Sequence, residues 1–133
     1  MRKSFTVLLA TVLAALPGLA LAQSAKPDLD AQVHCAVIFG LIARDQNNSR
    51  PGADRFPKMD EPGKAFFVAT GMRMLEEQKI VIDQLEPFFT ARISEVDSSL
   101  GKGADRAKGL DAEYAKCVPL IAQVVPDAAT LVK

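Results

Sequence analysis

Cys35 and Cys117 are the residues of this chain whose type and number predict the clearest chemistry. Only two cysteines are present, so a single intramolecular pairing exists. That bond would close a loop of about 83 residues, for which chain entropy alone gives about 4.5 kcal/mol of stabilisation. Two separate buried thiols and an intermolecular bridge are the alternatives. We predict the intramolecular disulfide, which leaves Cys35 no nucleophilic role beside its neighbour His34.

The histidine and methionine residues are the candidates for a metal site. His34 is the only histidine, and its helical neighbours are apolar, which is typical of a packed or boundary histidine. Thioethers suit Cu(I), and Met59, Met72 and Met74 could supply them. Residues two apart lie on different sides of a helix, however, so Met72 and Met74 cannot ligate one ion together. We interpret the methionines as gap-filling core residues and predict neither a metal nor a cofactor.

Several carboxylates could form the pair that glycoside hydrolysis requires. The candidates are Glu76, Glu77, Glu86, Glu95 and Asp97. Basic residues are interspersed among them, which is typical of a solvated helix surface with mixed charge. The sequence also lacks the Walker A, Rossmann, zinc-protease and nucleophile-elbow motifs. We therefore predict that the protein is not an enzyme.

A long loop, predicted over residues 47–63, is the best candidate for a functional surface. It contains three prolines and two glycines, and long loops in small domains are often functional. Exposed arginine, aromatic and methionine side chains are typical anchors of protein interfaces. The candidate partner-binding residues are Arg50, Arg55, Phe56, Lys58 and Met59. The alternative is a surface loop that Phe56 packs onto the domain.

Residues 1–22 have the pattern of a secretory signal peptide. Arg2 and Lys3 precede an apolar stretch, and Ala20-Leu21-Ala22 forms a small-x-small cleavage site. The mature chain, residues 23–133, is then a single domain of 111 residues with 14 basic and 16 acidic side chains. This balance gives no electrostatic argument for nucleic acid, and no later stretch suits membrane insertion. We expect a bacterial protein that is exported to the periplasm or secreted.

Four segments of the mature chain have the apolar spacing and the end signals of helices. They run from an Asp28 cap to about Gln46, from Lys64 to about Gln78, from an Asp83–Glu86 capping box to about Leu100, and from about Ala104 to Val125. The first is apolar on most sides over residues 35–43, which predicts a buried helix. Pro119 should kink or break the last helix, and the tail beyond Pro126 should fray.

The apolar stripes of these helices predict the core. In the second helix the stripe is Ala65, Val68, Met72 and Leu75, widened by Phe66, Phe67 and Met74. In the third it is Leu85, Phe89, Ile93, Val96 and Leu100, and in the fourth Leu110, Tyr114, Cys117, Ile121 and Val124. Because Cys35 and Cys117 both lie on core faces, the pattern favours their pairing. The fold class is therefore all-α, a small bundle of about four helices with a disulfide from the first helix to the last.

This architecture favours a non-catalytic role in which the protein binds or protects another protein or macromolecule, as an inhibitor or chaperone does. It is loosely similar to the small, disulfide-tied, helical acid-stress chaperones of the periplasm, although no motif carries that similarity. The expected partner is another exported or periplasmic protein. The alternative is a helical bundle that binds a cofactor or small ligand in its core.

Overall fold

The computed structural model describes residues 25–133, so the predicted signal peptide lies outside the described residues. Four α-helices follow one another: α1 (Leu29–Asn47), α2 (Asp60–Glu77), α3 (Ile82–Ser99) and α4 (Gly103–Val124). Short 3₁₀ segments occupy Ala53–Arg55 and Pro126–Val132. Residues 25–133 contain no β-strand, and no helix in this range is long and apolar enough to cross a membrane. The predicted all-α bundle is confirmed.

Helix α1 is the centre of the bundle, and the other three α-helices pack around it. The Asp28 carboxylate accepts a hydrogen bond from the Ala31 amide at 3.1 Å, so the predicted N-cap is confirmed. Every residue from Cys35 to Ile42 except Gly40 is at most 4% exposed. The continuous apolar run of the sequence therefore forms a helix that is buried on most sides, as predicted.

The disulfide joins α1 to α4, as predicted from the sequence. Cys35 and Cys117 have Cα atoms 5.3 Å apart, and both residues are buried. Beside them, the Phe39 ring packs edge-on against Phe66 at 5.0 Å and against Tyr114 at 6.4 Å between ring centroids. Edge-to-face pairs of this kind stabilise by about 0.5–1.5 kcal/mol beyond the burial of their area. The same core thus links α1, α2 and α4.

Helix α2 begins four residues earlier than the sequence pattern predicted. It starts at Asp60 rather than Lys64, which shortens the connection from α1 to residues 48–59, hereafter the 48–59 loop. Pro62 lies in the first turn, where a missing N–H costs no helical hydrogen bond. The Gly63 amide already donates to the Met59 carbonyl at 2.8 Å. Pro62 and Gly63 were predicted in the loop, but they belong to the first turn of α2.

The buried face of α2 is also not the predicted one. Val68 and Met72, placed in the core by the sequence pattern, are 51% and 58% exposed. The core-facing residues of α2 are instead Pro62, Gly63, Phe66, Thr70, Gly71 and Met74. Both sides of this helix carry apolar residues. The side with Phe66 faces α1, and the side with Val68 and Met72 faces solvent. The interpretation of Met72 as a core methionine is therefore wrong, whereas Met59 and Met74 are fully buried as expected.

Three predictions about helix ends and prolines need correction. Helix α3 starts at Ile82 with Val81 as its N-cap, so Asp83 does not form the predicted capping box and Pro87 lies inside the helix. Helix α4 runs unbroken through Pro119. Pro119 and Ala115 are both exposed, so the carbonyl that loses its hydrogen bond lies on the solvent side. Beyond Pro126 the chain forms the 3₁₀ segment, which packs on α4 and α2 and buries Ala128 instead of fraying.

A candidate binding cleft beside the 48–59 loop

The structure divides the five predicted partner-binding residues into two groups. Phe56 and Met59 are buried, so they cannot be the exposed anchors that the sequence suggested. Arg50, Arg55 and Lys58 lie at the surface. Phe56 packs against the Tyr114 ring at 5.1 Å between centroids, as the alternative of a loop packed by Phe56 described. The basic residues therefore remain the only part of this set that a partner can reach.

Gln46, a residue that sequence reasoning did not single out, holds the 48–59 loop in place. Its side-chain amide nitrogen lies within hydrogen-bond distance of the carbonyls of Ala53, Phe56 and Pro57 at 3.2, 3.2 and 2.9 Å. Its side-chain oxygen accepts from the Met59 amide at 3.0 Å. One glutamine near the end of α1 thus holds the second half of the loop backbone, residues 53–59. The loop is a fixed surface feature and not a loose connection.

Arg55 ties the same loop to α4. Its Nε donates to the Asp111 carboxylate at 2.6 Å, and its Nη2 donates to the Ala107 carbonyl at 3.1 Å. The guanidinium also lies 4.3 Å from the centroid of the Phe56 ring, within cation–π distance. Gly52 allows the preceding turn because its φ is +79°, in the left-handed region. Arg55 therefore has structural partners already and is a poor candidate for binding a ligand.

Between the 48–59 loop and the first turns of α4 lies a cleft of about 410 Å³, hereafter the loop cleft. Its apolar lining residues are Ile42, Pro51, Ala53, Phe56, Ala104, Ala107 and Leu110. Asp45, Arg50, Arg55 and Arg106 are its charged lining residues. Ile42 and Leu110 belong to the bundle core, so the apolar lining continues directly into the interior. This combination suits a ligand with an apolar body and a charged group.

A network of ion pairs closes one side of the loop cleft. The Asp45 side chain is only 4% exposed, and its Oδ2 accepts from Arg106 Nη1 at 2.7 Å. Arg106 Nε also donates to Asp97 at 3.0 Å, and Arg44 Nη2 donates to Asp97 at 2.8 Å. Burial alone would raise the pKa of Asp97, but the hydrogen bonds from Arg44 and Arg106 outweigh it and lower that pKa. The network connects α1, α3 and α4 through charges that hold each other in place.

Arg50 differs from the other arginines of the cleft because its guanidinium is available. The side chain is 50% exposed and makes no hydrogen bond to any residue in the range 25–133. Its Nε lies 3.5 Å from Asp45 Oδ1, an oxygen that is buried and has no hydrogen-bond partner among the described residues. The pairing is therefore loose, and the planar fork can receive a carboxylate through two parallel hydrogen bonds.

Apart from Asp97 in the ion-pair network, the other residues considered for chemistry do not line the loop cleft. His34 Nε2 is 2.7 Å from the Glu113 carboxylate at the junction of α1 and α4, a boundary position. Hydrogen bonds from Lys116 and then His34 lower the pKa of Glu113. Within residues 25–133 no group of three or more His, Cys, Asp or Glu residues is arranged to hold a metal ion. The carboxylates Glu77 and Glu95 are exposed partners of Arg73 and Arg92 on their own helices.

The fold and the cleft define the class of this protein as a disulfide-tied, all-helical bundle with an open cleft beside one interhelical loop. Comparisons of the chain with protein-family models, with curated proteins and with solved structures found no match. The function therefore rests on the chemistry of the cleft itself.

Proposed function

We propose that the protein is an exported, non-catalytic binding protein that holds a segment of another exported protein in the loop cleft. The segment would carry an apolar side chain next to a carboxylate. The carboxylate would belong to an acidic side chain or to the C-terminus of the partner. One observation carries the proposal: an apolar cleft is bordered by the half-exposed Arg50 guanidinium, which has no hydrogen bond within residues 25–133. The signal-peptide pattern of residues 1–22 supports export, and the disulfide is consistent with it.

The apolar part of the loop cleft is suited to one side chain of a partner. Phe56 and Leu110 line it from the loop and from α4, and both are themselves buried and held by their neighbours. A pre-formed apolar surface costs the protein little ordering entropy when a ligand binds. When an aliphatic or aromatic side chain of the partner moves from water into this cleft, it should contribute about 25 cal/mol of binding free energy per Å² of apolar area that it buries.

The charged part of the cleft favours an anion. Besides Arg50, the cleft is lined by Gly103 and Ala104 at the start of α4. The N-cap of α4, Lys102, makes no side-chain capping bond. The first amides of a helix lack partners within the helix and carry partial positive charge. Arg50 and these amides lie on the same cleft and carry charge of the same sign, so they can act together on one carboxylate.

A small organic molecule is the alternative occupant, because the cleft volume is within the range that such ligands use. The two occupants predict different results for the purified protein. A small molecule that co-purifies would add a fixed mass in native mass spectrometry. A partner segment would leave the purified chain at its own mass and would bind when supplied as a peptide.

The test uses the mature chain labelled with ¹⁵N and two short peptides that differ at one position. One peptide has leucine followed by glutamate, and the other has leucine followed by glutamine. We expect the glutamate peptide to shift the amide signals of the 48–59 loop and of the first turn of α4. Hydrogen bonds to charged groups contribute about 1.5–3 kcal/mol, so the glutamine peptide should bind about tenfold to a hundredfold more weakly.

Two variants separate the two halves of the cleft. Arg50→Gln should weaken binding of the glutamate peptide until its affinity equals that of the glutamine peptide. The matched control Arg92→Gln on α3 should leave the affinity of both peptides unchanged. Ala104→Leu fills the cleft from an exposed position and should abolish binding of both peptides. Thermal melts check that each variant is folded. Equal binding of the two peptides, no shift in the loop and α4 signals, or a co-purified small molecule that Ala104→Leu displaces would each refute the proposal.

A further inference from the structure

The outward face of α2 is a second surface that the proposed function does not use. Val68 and Met72 are more than half exposed, although both are large apolar residues on a well-formed helix. They line a shallow depression together with Glu61, Lys64, Ala65 and Ala69. None of these residues lines the loop cleft. The chain thus has an apolar helix face that no described element covers.

Four residues at intervals of four form a continuous ridge along this face, hereafter the α2 ridge. They are Lys64, Val68, Met72 and Glu76. Residues spaced by four lie one above the other on a helix and form the ridges through which helices pack. Lys64 and Glu76 are exposed and form no ion pair with any residue in the range 25–133. The ridge therefore has an apolar centre, a free cation at one end and a free anion at the other.

The order of these residues makes the α2 ridge complementary to itself when it is reversed. If a second α2 runs antiparallel with its centre at residue 70, Lys64 lies level with Glu76 of the other copy, and Val68 lies level with Met72. By symmetry each contact occurs twice. This single register therefore pairs opposite charges at both ends of the ridge and apolar side chains at its centre.

Helix packing geometry permits this arrangement. In the commonest packing class, the ridges of residues spaced by four run side by side, with the helices crossing at about −50°. Each ridge then lies in the groove next to the corresponding ridge of its partner. On α2 the neighbouring ridge contains Ala65 and Ala69, whose small side chains leave a shallow groove for Val68 and Met72. The depression observed on the surface is this groove.

We propose that the protein forms a two-fold symmetric homodimer through antiparallel packing of the α2 ridge on a second copy of the chain. A closed two-fold interface uses the same patch on both subunits, which is what a self-complementary ridge provides. The loop cleft of each subunit stays open in this dimer because its lining residues are not on the ridge. The homodimer would therefore present two clefts to a partner with two binding segments.

Charge reversal tests the proposal, with the mass of the mature chain measured by light scattering and sedimentation from micromolar to millimolar concentration. We expect a dimer for the wild type. Lys64→Glu places like charges opposite each other at two symmetric positions, and so does Glu76→Lys. Each single variant should raise the dimer dissociation constant by about tenfold or more. The matched control Lys108→Glu, at an exposed position on α4 without a described ion pair, should leave that constant unchanged.

Rescue is the decisive measurement. The double variant Lys64→Glu/Glu76→Lys restores opposite charges across the interface and should recover the wild-type dissociation constant. An equimolar mixture of the two single variants should form a heterodimer, since one chain carries two anions and the other two cations on the ridge. A wild-type chain that is monomeric throughout, a dimer that ignores the single reversals, or a mixture that does not associate would overturn the proposal. Circular dichroism confirms that each variant is folded. Peptide binding in the loop cleft is measured separately and does not depend on this outcome.

Discussion

Removal of the Cys35–Cys117 disulfide should cost a large fraction of the stability of this domain. The bond joins residues separated by 82 positions, so it restricts nearly the whole described chain in the unfolded state. The chain-entropy relation gives about 4.5 kcal/mol for a loop of this length. Domains of this size are stable by about 5–15 kcal/mol in total. The Cys35→Ala/Cys117→Ala variant is therefore expected to be less stable than the wild type by about 4.5 kcal/mol.

Urea denaturation followed by circular dichroism measures this loss. With a slope of about 1.5 kcal/mol per molar urea, the midpoint should fall by about 3 M. The slope itself should rise, because an unfolded chain without the crosslink is more expanded and exposes more surface. Either single cysteine variant should lose nearly as much unfolding free energy as the double variant, since each breaks the same bond. Dithiothreitol should destabilise the wild type to a similar extent and leave the double variant unchanged.

Two outcomes would refute this reasoning. If the double variant stays within about 1 kcal/mol of the oxidised wild type, the loop-closure account is wrong for this chain. If the two single losses add up to the double loss, the cysteines contribute independently and not as a bond. Thiol labelling under denaturing, non-reducing conditions gives the matching chemical result. It should detect no free thiol in the wild type.

Two further predictions concern the ion-pair network. Arg106→Met should lower the free energy of unfolding, measured by urea denaturation, by about 3–5 kcal/mol, because the nearly buried Asp45 loses its closest partner. The control variant Arg92→Met removes a surface ion pair and should lower that free energy by less than about 1 kcal/mol. Equal losses in the two variants would contradict this explanation. Stability should also depend on pH through Asp97. Because folding lowers the pKa of Asp97 from its ordinary value of 3.8, its ionised carboxylate stabilises the folded state at any pH above 3.8. This contribution is lost as the pH falls through the lowered pKa of the folded state. Unfolding free energies measured from pH 6 to pH 2 should therefore decline mainly below about pH 4.

The sequence predicts the parts of the fold in which one pattern dominates. In α1 a capping aspartate is followed by an unbroken apolar run, and only a central helix can bury such a run. In α3 and α4 a single apolar stripe faces the core, so Phe89, Val96, Leu110 and Ile121 are buried as predicted. The disulfide could be predicted for the same reason, because both cysteines lie on the stripes that must meet in the core.

Helix α2 shows why a pattern can mislead. It has apolar residues on opposite sides, and spacing alone cannot decide which side faces the core. The glycines carry the missing signal. A Cβ atom added at Gly63 would lie 3.5 Å from the Phe39 Cβ, so the face that bears Gly63 is the one that approaches α1 closely. Val68 and Met72 lie on the opposite face and are therefore exposed.

The candidate site was predictable only in outline. The basic residues of the loop could be found from the sequence, but the cleft also depends on Gln46 and Asp45, whose roles follow from contacts that no helical or strand period describes. Gln46 reaches the loop carbonyls because α1 ends next to them. Asp45 tolerates burial because Arg106 of α4 meets it at 2.7 Å. The Gln46 contacts arise from the path of the loop, and the Asp45–Arg106 pair arises when α1 and α4 pack together.

The disulfide and the loop cleft lie at opposite ends of the antiparallel contact between α1 and α4. Cys35 precedes Asp45 by ten residues, which is about 15 Å along a helix. The covalent bond therefore fixes one end, while ion pairs such as Asp45–Arg106 hold the cleft end. Acid protonates Asp97, whose pKa the hydrogen bonds from Arg44 and Arg106 lower, and so weakens these pairs without affecting the disulfide. The cleft end should thus open first as pH falls, exposing the apolar lining around Phe56 while the helices near the disulfide stay packed.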